Sequence, residues 1–289
     1  MKLASAFLRS SFALGIGLWS FSASAQAASY QVVDLGSLDS PYGITHAVGL
    51  NDLGQVVGYG YSGGFTASGN SFNDTYQAFV TDANGANLRA LGFLDGSWSR
   101  GTVIDNAGQV YGTAENAQGS TVNFTVDSKG SGPLTPYAGA IPGTGASPYP
   151  EIDFSNVPTY GQGNGGASGQ YGAVSTATSL GMNAAGQVVG QFTNSRTFSY
   201  YGFVTGPQGA DPRDLDTLDF SGFSLPSHPN SASFFESATG INNLGQFVAN
   251  ANNGHAYLLS PVPEPAPVAL MLAGLGVVGM GARRRCNGR

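Results

Sequence analysis

Gly49-Leu50-Asn51-Asp52-Leu53-Gly54-Gln55-Val56-Val57-Gly58 sets an apolar residue, an Asx pair, a glycine and a glutamine ahead of a β-branched pair. The block returns as Val103-Ile104-Asp105-Asn106-Ala107-Gly108-Gln109-Val110-Tyr111-Gly112 and as Gly181-Met182-Asn183-Ala184-Ala185-Gly186-Gln187-Val188-Val189-Gly190. Its last copy is Gly240-Ile241-Asn242-Asn243-Leu244-Gly245-Gln246-Phe247-Val248-Ala249. A block repeated at intervals of this size marks a chain built from similar supersecondary units. The physical reading is a hairpin. Asx side chains bend the backbone by bonding to it, Gly54 and its counterparts allow a positive φ, and the Gln-Val-Val run starts a return strand. The turn residues are Asn51, Gly54 and Gln55; Asn106, Gly108 and Gln109; Asn183, Gly186 and Gln187; and Asn242, Gly245 and Gln246.

An aromatic strand follows each block, at Gln77–Val80, Asn123–Val126, Tyr201–Val204 and His255–Leu259. After three of them comes a Leu-containing strand, at 88–92, 133–135 and 213–216, which the fourth unit lacks. The segment Tyr30-Gln31-Val32-Val33-Asp34-Leu35-Gly36 has the composition of that missing strand. A repeat shifted in this way closes a β-propeller, whose first strand completes the last blade and removes a sheet edge. Pairing of 30–36 with the strand at 256–259 is therefore expected. Successive turn glycines lie 54, 78 and 59 residues apart, room for one blade and its loops. The expected fold is all-β: a small propeller-like ring of about four units, with an open β repeat sandwich as the competitor. A Gly-, Pro- and Ser-rich insertion is expected at about 137–175.

The two ends read differently from the body. Lys2 and Arg9 precede an apolar run from Phe12 to Phe21, and Ala23-Ser24-Ala25-Gln26-Ala27 closes the segment. Charged, apolar and small-residue regions in that order form a cleavable secretion signal, read here as a helix within 1–27. At the other end, Val262-Pro263-Glu264-Pro265 is followed by an uncharged stretch from Ala266 to Ala282 and then by Arg283-Arg284-Arg285. As a helix the uncharged stretch would be about 26 Å long, close to a hydrocarbon core of roughly 30 Å. The arginines should hold its end on the cytoplasmic side.

Pro-Glu-Pro, an apolar helix and an arginine cluster resemble the PEP-CTERM sorting signal of Gram-negative bacteria, over 262–289. The resemblance implies export by the Sec machinery and recognition by an exosortase, with removal of the tail near Pro263-Glu264-Pro265. It implies transient anchoring in the inner membrane, then release to the cell surface or extracellular matrix of an organism that makes exopolysaccharide and biofilm. The repeat blocks also resemble the HAF extracellular repeat family, best at 49–80 and 240–259. The second unit departs from it, with Asn123 before Phe124 where Ala is expected.

The body between the ends, residues 28–261, holds Arg89, Arg100, Lys129, Arg196 and Arg213 against sixteen carboxylates, a net charge near −11. That sign disfavours nucleic acid and anionic lipid headgroups as partners. The chain's single cysteine, Cys286, lies beyond the body, so disulfides and thiolate metal sites cannot hold the body together. Each turn offers one or two oxygen ligands against the six to eight that calcium takes.

Glu151-x-Asp153 is the one close pair that mixes Glu with Asp, but it lies in the Gly- and Pro-rich insertion without rigid support. His46, His228 and His255 have no metal-like spacing. Tyr149, Tyr160 and Tyr171 offer a stacking surface for sugars within a loop. No catalytic residue, metal site or cofactor is assigned. The expected function is a noncatalytic surface or matrix component associated with exopolysaccharide, against the alternatives of a glycan-binding module or an enzyme acting on extracellular glycans.

Overall fold

In the computed structural model, the described residues are 29–38, 43–61, 76–129, 132–142, 152–154, 174–194, 199–225 and 233–262. Their elements are short strands joined by tight turns, as 44 glycines and few long helix formers require. Strand β1 spans Tyr30–Asp34. The first sheet contains β2 (Thr45–Leu50), β3 (Val56–Tyr61), β4 (Tyr76–Val80) and β5 (Arg89–Gly92), in that order. The second contains β6 (Ser99–Ile104), β7 (Gln109–Glu115), β8 (Thr121–Asp127) and β9 (Thr135–Pro136). The third contains β10 (Val174–Met182), β11 (Val188–Asn194), β12 (Tyr200–Val204) and β13 (Arg213–Asp214). The remaining strands are β14 (Phe220–Ser221), β15 (Phe235–Ile241), β16 (Phe247–Ala251) and β17 (Ala256–Pro261).

The expected N-terminal strand joins the last unit. β1 runs antiparallel to β17, with Tyr30 opposite Pro261, Val32 opposite Leu259 and Asp34 opposite Tyr257. The fourth sheet therefore has the order β14-β1-β17-β16-β15 and is assembled from both ends of the body. His255 Nδ1 lies 2.9 Å from an Asp34 carboxylate oxygen and adds a side-chain link across that pairing. Closing so long a loop costs only logarithmically more than closing a short one, so the buried Leu35 and Leu258 offset it readily. Parallel pairing of the two-residue β14 with β1 is an addition that the repeat did not foreshadow.

Each unit repeats one side-chain plan. Gly58 stands opposite Phe79, Gly112 opposite Phe124 and Gly190 opposite Phe203. A Cβ at Gly190 would lie 2.1 Å from the Thr178 carbonyl and 2.7 Å from the Phe203 ring, so the ring needs a glycine beneath it. The fourth unit uses Ala249 opposite Tyr257 instead.

Apolar clusters lie between successive sheets. Val56 and Phe79 of the first sheet pack with Val248 and Leu258 of the fourth. Val57 and Val80, on the other side of the first sheet, pack with Val110 and Phe124 of the second. Val189 and Val204 of the third pack with Phe247 and Leu259 of the fourth. The sheets thus succeed one another as third, fourth, first, second.

The junction of the second and third sheets is different. Where the first unit has Val57, Ala78 and Val80 facing a neighbour, the second has Tyr111, Asn123 and Thr125. That face meets the start of the insertion: Tyr111 packs edge-on against Tyr137 at 5.3 Å, and Asn123 Nδ2 donates to the Gly139 carbonyl. The face of the third sheet turned away from the fourth, with Val188, Phe192 and Phe203, is covered by Ile152 and Phe154. Among the described residues no apolar cluster spans the second and third sheets.

The secretion signal, the apolar stretch at 266–282 and most of the insertion lie outside the described residues. No helix among the described residues is long and apolar enough to cross a membrane.

Candidate functional site

The repeated turns come together at one end of the sheets. In the first, Asn51 Oδ1 accepts from the backbone N–H groups of Leu53 and Gln55, and Gly54 N–H returns to the Asn51 carbonyl. Gly54 has a φ of 70°, which closes the turn without the steric cost an L side chain would meet. Asn183 and Asn242 repeat these bonds. In the second copy the bonds converge on Asp105, which accepts from Ala107 and Gln109, and not on Asn106. Asn106 sits one place later and faces Asp52.

The asparagine amides extend between units. Asn183 Nδ2 donates to the Asn242 carbonyl at 3.0 Å, Asn242 Nδ2 to the Asn51 carbonyl at 2.9 Å, and Asn51 Nδ2 to the Asp105 carbonyl at 2.9 Å. Each amide also donates to the glutamine of its own turn where the unit starts with Asn, at Gln187, Gln246 and Gln55. The relay ends at Asp105, because a carboxylate has no N–H to pass on.

A second belt runs beside it. Asn243 Oδ1 accepts from Ala184 N–H, and Asp52 accepts from both the backbone and the side chain of Asn243 and from Asn106 Nδ2. These bonds, the backbone N–H of Asn243 first, hold the Asp52 carboxyl below the usual carboxylate range. The turn residues thus form the inter-unit seam. They leave no set of convergent oxygens, and no group of three His, Cys, Asp or Glu side chains gathers among the described residues.

The other candidates are scattered. Glu151, His228, Tyr149, Tyr160 and Tyr171 lie outside the described residues. Asp153 lines a surface cleft together with Asp211 and Arg213. His255 bonds Asp34, as above, and belongs to the closing strand pair.

His46 is the second residue of β2, at the end away from the asparagine turns. Its ring lies 5.1 Å from that of Tyr59, and its Nε2 is 3.5 Å from the Asn250 amide. Burial, and then the neighbouring Arg100, push its pKa below the ordinary histidine value. Arg100, which the repeat reading did not single out, stands on the rings of Tyr59 and Tyr76 at 4.6 and 4.7 Å.

Of the sorting residues, only Val262 is described. Its N–H donates to the Ser29 carbonyl at 2.8 Å, so the motif leaves the body directly from the end of β17. Pro263, Glu264, Pro265, Arg283, Arg284 and Arg285 lie outside the described residues. The family model described as the PEP-CTERM protein-sorting motif matches residues 261–285. Residues 261–285 carry a PEP-CTERM sorting motif. It marks an exported protein that exosortase processes and that is held transiently at the membrane beforehand. No curated protein matches the chain.

Proposed function

We propose that the chain is a noncatalytic component of the cell surface or extracellular matrix, delivered by exosortase and associated with exopolysaccharide. The observation that carries this reading is the sorting motif at 261–285, which follows the folded body without an intervening linker. The secretion-signal pattern at 1–27 agrees with it, and so does a body whose recurring polar residues serve the inter-unit seam. The sorting part is tested by deleting 262–289 and following where the protein accumulates. Retention in the periplasm or loss to the medium is expected; unchanged surface delivery would overturn it.

The body is read as a propeller-like ring of HAF-type extracellular repeats, with β1 completing the fourth unit. Support comes from the shifted pairing of β1 with β17 and from the one-way asparagine relay. The alternative reading, an enzyme acting on extracellular glycans, is tested on Glu151→Gln and Asp153→Asn by a reducing-sugar assay. Turnover abolished by either change would favour the enzyme; polysaccharide retention without turnover favours the matrix component.

A further inference from the structure

Arg100 is one of only five cations in a body with sixteen carboxylates, yet no carboxylate among the described residues pairs with it. By contrast, Arg89 is engaged by Asp82 at 2.6 Å. The Arg100 side chain is exposed, and its guanidinium rests on the half-buried rings of Tyr59 and Tyr76, with Trp98 at 6.0 Å. The platform is itself fixed. Tyr59 and Tyr76 meet edge to face at 5.5 Å, Tyr61 packs on Tyr76 at 4.6 Å, and the Tyr61 and Tyr76 hydroxyls are 3.0 Å apart. A planar cation laid on aromatic faces keeps its N–H edge free and loses little freedom when that edge binds, which suits bidentate recognition of an oxyanion.

The rings decide which oxyanion. A free carboxylate uses only the guanidinium fork, whereas a pyranose also lays its apolar C–H face against the exposed part of Trp98. We propose that the Tyr59, Tyr61, Tyr76, Trp98 and Arg100 platform is a binding site for a uronic-acid residue of an anionic polysaccharide, its carboxylate held by Arg100. Arg100 is close enough to His46 to add, after burial, to the lowering of its pKa.

This assignment rests on the association with polysaccharide proposed above and narrows it to a polyuronate and a place. The test is native electrophoresis of the processed protein through gels containing polygalacturonate or dextran. Retardation by polygalacturonate alone is expected, weakening as NaCl is raised. Arg100→Gln should lower that affinity at least tenfold with the melting temperature unchanged. Arg100→Lys, which keeps the charge but not the planar fork, should lose most of it, and Arg89→Gln should lose none. Galacturonic acid should compete and acetate at the same concentration should not.

Wild-type retardation by an Arg100→Gln protein, or competition by acetate equal to that of galacturonic acid, would overturn the site. Retardation by dextran alone would overturn the uronate assignment and leave the association with polysaccharide standing. Absence of retardation by either polymer would overturn the uronate site, and extending the gels to the producing organism's own exopolysaccharide then decides separately whether the broader association fails with it.

Discussion

A single amide separates an inter-unit bond from a terminus. Asn51, Asn183 and Asn242 each bend their own turn with Oδ1 and reach the next unit with Nδ2, whereas Asp105 performs only the first task. Asn242 is buried and makes four such side-chain bonds, so Asn242→Ala should destabilise the body by roughly 2–3 kcal/mol in urea unfolding. Asn106→Ala, at an exposed position of the outer belt, should cost under about 1 kcal/mol.

A second prediction concerns His46, whose folded-state pKa is depressed by burial and Arg100. The native state then binds fewer protons than the unfolded chain below about pH 6.5. The neutral ring's contribution is fully present above that value and is lost as pH falls through it toward the folded pKa. Stability measured between pH 7.5 and 5 should fall less in His46→Gln than in the parent; equal slopes would show that another group is responsible. The turn-forming role of Asn and Gly was legible in sequence because it is local. The second partner of each amide was not, because it lies 54, 59 or 191 residues away.

Among the strands, repetition made the meander order readable, and the missing outer strand of the fourth unit pointed to Tyr30–Asp34. The two-residue β14 was invisible, since Phe220–Ser221 is too short to show a period of two and is defined only by its contact with β1. The altered second unit was legible in principle: Tyr111, Asn123 and Thr125 replace an apolar face, and Asp105 replaces an amide donor. Reading it requires knowing which positions face a neighbouring sheet.

Gly190→Ala tests the shared plan. Its Cβ has no room beneath Phe203 or beside the Thr178 carbonyl, so a loss of about 2–3 kcal/mol is expected, while Ala249→Gly in the fourth unit should cost about 1 kcal/mol or less. Phe154→Ala removes a ring that packs at 5.0 Å on Phe203 and 5.9 Å on Phe192. Uncovering that face should destabilise by roughly 2 kcal/mol and raise binding of a hydrophobic dye; no change in either would mean that the insertion does not seal the third sheet.

At the scale of the whole molecule, β1 joins the beginning of the body to its end. Removing residues 29–36 should expose the edge of β17 and take away Leu35 from the cluster it shares with Phe79 and Leu258, so the shortened body is expected to aggregate or to melt far below the parent. A shortened body with an unchanged melting temperature would show that the first sheet and the rest of the fourth stand without it. The bond from Val262 N–H to the Ser29 carbonyl puts both ends of the body at one point, and the antiparallel direction of β1 and β17 has a mechanical consequence. Tension applied between the two ends would meet the pair in the peeling direction, parting one hydrogen bond after another, instead of shearing all of them at once. A protein held at both ends would therefore yield at this seam under slight load, whereas one released at its beginning and tethered only at its end carries the load past the seam.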